Sequence, residues 1–221
     1  MINTYKDLLQ LYKHPFTLTR LGRNCDGGYV VPKELINNNL LSCGIEHEIS
    51  FEEDYIKHIN NPNIHCFDGT ITSFPSNDDC FNWHKINIGT NDTSNEISLN
   101  SIFDKFFENQ NKIFIKMDIE AAEYGAFSTI SVENLKKIDC MVLEVHWIDK
   151  QYKNFNDLMN ILNSELVLIH KHDNNNGQYF YSDSELFCSV YELTFINKSH
   201  INTLIKNDVK LPIPGLDFQN K

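Results

Sequence analysis

The 221-residue sequence has no apolar run near the ~20 residues needed to cross a bilayer. Its first residues, Met1-Ile2-Asn3-Thr4-Tyr5-Lys6-Asp7, lack the basic-then-apolar pattern of a secretory leader, so we expect a cytoplasmic protein. No two of its six cysteines form a C-x-x-C pair, which leaves no zinc knuckle or redox motif. Cys43, Cys66, Cys140 and Cys188 lie in or beside apolar runs and read as buried thiols. Positive charge is scarce, 19 Lys and Arg against 30 Asp and Glu, for a net charge of −11. Such a surface repels phosphate backbones and anionic lipid, so nucleic acid is not an expected partner. Glycine is sparse too, nine residues, and no G-x-G-x-x-G run occurs.

What is present is alternation. Tyr5, Leu8, Leu9 and Tyr12 recur at helical spacing, and Arg20 to Pro32 follows as a turn with an extended piece. Apolar runs at 40–45, 63–67, 82–88, 113–117, 140–145, 166–169 and 186–196 read as strands. Helices are expected from a capping box at Ser50, at Leu99 to Phe106, over 121–137 and over 154–163. Alternation of this kind implies a mainly parallel sheet with helices on both faces. The last two runs suit an antiparallel hairpin. We expect a single domain over 1–221, with a covering segment at 1–35, a core at 36–200 and a tail at 201–221.

Open parallel sheets bind ligands beyond the carboxyl ends of their strands. Those ends carry Gly44, Asp68-Gly69, Gly89, Asp118, and Glu144 with His146. Asp68, 24 residues after Gly44, stands where a carboxylate accepts both ribose hydroxyls. The first loop, Gly44-Ile45-Glu46-His47-Glu48, puts acids where a dinucleotide enzyme receives pyrophosphate. A cationic sulfonium bearing an amino group suits it better, which favours S-adenosylmethionine (SAM) over NAD. Asp118, Glu144 and His146 are expected to converge, as a catalytic base, a divalent-metal site or a structural network. His172 is a further candidate at the substrate, with His170 structural. Arg20 and Arg23 suit either a substrate phosphate or surface ion pairs.

Asp26-Gly27-Gly28-Tyr29-Val30, Ser42-Cys43-Gly44-Ile45, Phe67-Asp68, Lys116-Met117-Asp118-Ile119-Glu120 with Glu123, and Leu143-Glu144-Val145-His146-Trp147 occur in that order. In this the chain resembles the FkbM-type SAM-dependent methyltransferases over about residues 18–200, and 211–217 is similar to their tail. The family usually has a second glycine where Glu46 or Glu48 stands, and Ala121 replaces another. The resemblance implies a Rossmann-like class I fold, a seven-stranded sheet with its last strand antiparallel. It also implies O-methylation, here of a carbohydrate hydroxyl on a nucleotide-linked or surface-polysaccharide sugar, leaving S-adenosylhomocysteine (SAH). The cofactor set is then Gly44, Ile45, Glu46, Asp68, Gly69, Ile88, Gly89 and Asp118. Asp118, His146, Glu144 and His172 are the catalytic set, and Arg23, Asp26 and Tyr29 the substrate set. No metal is predicted, although Asp118, Glu144 and His146 could hold a divalent ion. The competing functions are a non-catalytic SAM- or nucleotide-binding partner and a metal-assisted hydrolase.

Overall fold

A computed structural model describes residues 3–221. A short helix α1 (Tyr5–Leu8) opens it, capped by Thr4, whose side chain accepts from the Asp7 amide. Tyr12 lies beyond the helix. Its amide donates to the Leu168 carbonyl, so the helical spacing at Tyr12 reflects packing rather than continued helix. Strands β1 (Leu18–Leu21) and β2 (Tyr29–Pro32) form a hairpin around the glycine-containing turn.

The alternating part runs β3 (Asn39–Cys43), α2 (Ser50–Ile56), β4 (Asn63–Phe67), β5 (Phe81–His84), β6 (Asn87–Gly89), β7 (Glu96–Ser98), α3 (Leu99–Phe106) and β8 (Ile113–Met117). It continues through α4 (Glu123–Ser128), α5 (Val132–Lys137), β9 (Ile138–Val145), α6 (Tyr152–Glu165), β10 (Leu166–Asp173), β11 (Tyr179–Ser182), β12 (Glu185–Cys188) and β13 (Tyr191–Asn197). Seven strands make one sheet in the order β10-β13-β9-β8-β3-β4-β5. Six run the same way, and β13 is antiparallel to both neighbours.

Successive residues of the central strands face opposite layers. Leu41, Ile115 and Leu143 join one apolar cluster with α1 and α3 to α6. Leu40, Phe114 and Val142 join the other, with α2 and the β1–β2 hairpin. Helices thus lie on both faces, unevenly, because the hairpin replaces helix on one side. Four thiols are buried and all six are free. Among the described residues no helix is long and apolar enough to cross a membrane.

Four local expectations change. Ser50 is the first helical residue rather than the cap; Ile49 holds the cap position and the Ser50 hydroxyl accepts instead from the Arg23 amide. The run 82–88 is two strands, because the chain turns at Lys85-Ile86 and β6 leaves the sheet to pair with β7. The helix over 121–137 is two helices, parted where Ser131 caps α5. The run 186–196 also divides, β12 pairing with β11 and β13 entering the main sheet.

Candidate functional site

The carboxyl ends of β3, β4 and β8 are held together by backbone. The Gly44 amide donates to the Phe67 carbonyl and the Asp118 amide to the Cys43 carbonyl, each at 3.0 Å. Gly44 has φ +77°, and a Cβ there would lie 1.5 Å from the Asp118 carbonyl oxygen. Only glycine permits that approach. Beneath the loop, buried Lys116 donates from Nζ to the Gly44 carbonyl. Burial alone would lower its pKa, but Glu52 and Asp118 outweigh it, so the ammonium is held charged. Glu52, fully buried, accepts from the Ser42 hydroxyl.

Asp68 organises the loop. Its Oδ2 accepts from the Ile45 and Glu46 amides at 2.9 and 2.8 Å, and its Oδ1 from the amide and hydroxyl of Thr70. Burial works against ionisation, but these donors prevail and keep the carboxyl below its ordinary value. All four acceptor positions of the carboxylate are therefore in use within the chain.

A cavity of about 280 Å³ opens between these ends. Gly44, Glu46, Asp68, Ile88 and Asp118 line it, with Phe67 and Ile119 as apolar wall. Ile45 lines a smaller recess of about 80 Å³ beside it, together with Arg23, Asp26 and Glu48. Gly69 and Gly89 lie behind the wall. A Cβ on Gly69 would strike Asn87 at 2.6 Å, and one on Gly89 would strike Glu96 at 2.3 Å. These glycines make room for Asn87 and Glu96, which do line the cavity.

Four non-glycine residues near these strand ends have left-handed backbones: Glu46, Glu120, Ala121 and Trp147, with φ between 48° and 73°. Each costs of order 1 kcal/mol or more, and such residues gather at functional sites. Ala121 is expected from sequence to open a helix, but it lies outside one, since α4 begins at Glu123. At φ +73° it occupies a position that glycine fills without strain.

Beside the cavity, His146 gathers carboxylates. Its Nδ1 lies 3.0 Å from Glu123 Oε1, and its Nε2 lies 3.4, 3.7 and 3.8 Å from Glu144, Glu120 and Asp118. Burial disfavours the imidazolium, but Glu123 and Glu144 override it and raise the pKa to about 11. An imidazole held protonated has no lone pair with which to take a proton. Glu144 is raised to about 7, first by burial and then by Asp118. The Tyr29 hydroxyl lies 3.1 Å from Asp118 and 3.3 Å from Glu144, and Asn174 donates to Glu144. Tyr29 is itself buried and reaches the site only through its hydroxyl.

His172 is not in this group. It lies with His170 against the C-terminal tail, 3.6 and 3.1 Å respectively from Asp217. A separate pocket of about 240 Å³ is lined by His172, Tyr179 and tail residues Leu211 and Pro212. Arg20 spends its guanidinium on the carbonyls of Arg23, Cys25 and Leu216. Arg23 donates to the Asp26 carbonyl and pairs with Glu48 at 2.8 Å. Neither arginine offers a free fork for a phosphate. Sequence reasoning missed Glu192, Asn220 and Glu120 as members of the site. Glu192 lies directly opposite Glu144 across β13 and β9 and accepts from Asn220 in the C-terminal tail. A glutamate inside the apolar run of β13 was the available signal.

The sheet order, one reversed strand and a cavity at the strand ends define an open α/β fold with a seven-stranded mixed sheet and a pocket beyond the carboxyl ends of its strands. The sequence profile of the methyltransferase FkbM domain matches residues 14–175, and the chain belongs to that family of methyltransferases. No curated protein matches the chain. Among solved structures it is similar to a proposed RNA methyltransferase from Pyrococcus horikoshii, at 8% identity and a TM-score of 0.40. That alignment covers 73% of this chain and 76% of the other.

Proposed function

We propose that the protein is a SAM-dependent O-methyltransferase acting on a carbohydrate hydroxyl. The observation that carries this reading is the cavity on which Gly44, Asp68, Ile88 and Asp118 converge. Its donor set suits SAM. Phe67, Ile88 and Ile119 provide apolar wall for a purine, while Glu46 and Glu120 line the same space and suit an amino group and a sulfonium. A diphosphate would meet those same carboxylates, so the wall disfavours NAD. Bound there, SAM supplies an electrophilic methyl group.

The chain's own residues then have separable tasks. Asp68 fixes the loop amides of Ile45 and Glu46, which shapes the cavity floor. Of the three catalytic candidates clustered at His146, Asp118 is the accessible one, its side chain 28% exposed against 5% for Glu144 and 7% for His146. We assign Asp118 as the group that receives the hydroxyl proton, with Tyr29 steadying its second oxygen. His146 is a positioning residue, its imidazolium balancing the surrounding carboxylates. Trp147, 43% exposed beside His146, offers an apolar face for a sugar ring. The commitment of Arg20 and Arg23 to internal partners favours an uncharged polysaccharide sugar over a nucleotide-linked one.

A thermal-shift and titration panel with SAM, SAH, NAD and nucleotide sugars tests the cofactor. SAH at 100 times its dissociation constant should stabilise the fold by about 2.7 kcal/mol, and NAD should not. Asp118→Ala should retain SAH binding and lose methyl transfer from labelled SAM to a sugar panel. Absence of binding by both SAM and SAH overturns the reading.

A further inference from the structure

Two triads of potential ligand atoms stand next to each other near this cavity, each with its atoms within 4.8 Å of one another. One is Asp26, Glu144 and Glu192; the other is Asp118, Glu120 and His146. The first is already supplied with donors. The Asn220 amide lies 2.6 Å from Glu192 and 3.3 Å from Asp26, and Glu144 is reached by Tyr29 and Asn174.

The second triad differs. Glu144 Oε1, Glu120 Oε2 and Asp118 Oδ1 face His146 Nε2 at 3.4, 3.7 and 3.8 Å, the last two beyond hydrogen-bond length. The His146 side chain is only 7% exposed, and it is aimed into the group. Its orientation is set from behind, with Nδ1 on Glu123 Oε1, which also accepts from the Ile119 and Ala121 amides. A carboxylate gripping the far nitrogen of a histidine is the arrangement that presents Nε2 to a metal. The Nε2–oxygen spacings are those of atoms sharing one small ion, since ligands at 2.0–2.6 Å from a cation lie about 3–4 Å apart. Two carboxylates and one imidazole suit Mn²⁺ or Mg²⁺ better than a thiophilic metal.

We propose that Asp118, Glu120 and His146 bind one divalent cation of the Mn²⁺ or Mg²⁺ type at the edge of the cavity where the acceptor hydroxyl must arrive, the ion displacing to solvent the Nε2 proton that His146 carries in the metal-free protein. The proposal rests on the methyltransferase reading for its purpose, which is to place positive charge beside that hydroxyl. It does not rest on that reading for its existence.

Mn²⁺ titration by calorimetry, with paramagnetic resonance of the bound ion, tests the site on the full chain without SAM. Wild type should bind one Mn²⁺, and Glu120→Gln and Asp118→Asn should each weaken it at least tenfold. Glu120 is 66% exposed, so its variant should fold normally. Asp157→Asn, an exposed carboxylate on α6, should leave binding unchanged and so exclude general attraction to an acidic surface. No Mn²⁺ binding at millimolar concentration overturns the proposal, as does binding weakened by Asp26→Asn and unaffected by Glu120→Gln. SAH titration on the same samples separates the two ideas. SAH binding without Mn²⁺ binding sinks the metal site alone, and Mn²⁺ binding without SAH binding sinks the cofactor reading alone.

Discussion

Lys116 sits in the run Ile113-Phe114-Ile115-Lys116-Met117, every residue of which is buried. A charge in such a strand must be paired, and here the ammonium holds the Gly44 carbonyl in the field of Glu52 and Asp118. Lys116→Met keeps the volume and strands Glu52, so it should cost about 3–5 kcal/mol in urea unfolding. A loss under 1 kcal/mol would show that the two charges do not depend on each other. Ala121 makes the opposite case. Its left-handed backbone is strained, so Ala121→Gly should stabilise the protein by on the order of 1 kcal/mol. An unchanged or lowered melting temperature would refute the strain. At this scale the sequence indicated which strand-end residues meet and said little about the charge they carry there. Asp118, Glu144 and His146 could be chosen from strand ends alone. That His146 carries a proton, and that Asp68 has every acceptor position filled, depends on neighbours from distant segments.

Elements add constraints that single residues do not. His65 on β4 and His84 on β5 lie two residues apart in the register of the parallel pair and so on one face, their rings stacked and their nitrogens 2.9 Å apart. Burial first, and then His84, lowers His65 from 6.5 to about 4, and burial lowers His84 as well. The unfolded chain therefore takes up these protons before the folded one. The contribution of this pair to stability should be complete above about pH 6.5 and be lost as pH drops toward 4. His65→Phe should flatten that slope between pH 7 and 4.5 in denaturant melts; an identical slope would remove this pair from the acid response. Element types were legible because hydrophobic period is a local property. Boundaries were not. The break at Lys85-Ile86 leaves no mark on the apolar pattern, since it is β7 that draws β6 out of the sheet.

Across the whole molecule, the tail completes the far wall of the acidic cluster. Asn220 donates to Glu192 and Asp26, and its own amide donates to Asn175, joining the chain's last residues to β13 and to the hairpin turn. Glu192 has one oxygen with no partner and its pKa is raised well above the ordinary range by burial and then by Glu144. Asn220→Ala removes its remaining donor and should cost roughly 1–3 kcal/mol, read as a lower urea midpoint. If the midpoint is unmoved, the tail is not a structural part of the site.

By itself the sequence determined the alternation of strands and helices, the order of the strand-end residues and the reversed last strand. Each of these follows from local period and spacing. The tertiary structure alone decided that Arg20 and Arg23 are occupied, that His172 belongs to the tail, and that Glu120 joins His146. Those outcomes turn on which distant side chains meet and on what charge they carry together. Pair distances and burial set that, and neither is written in the order of residues along one chain.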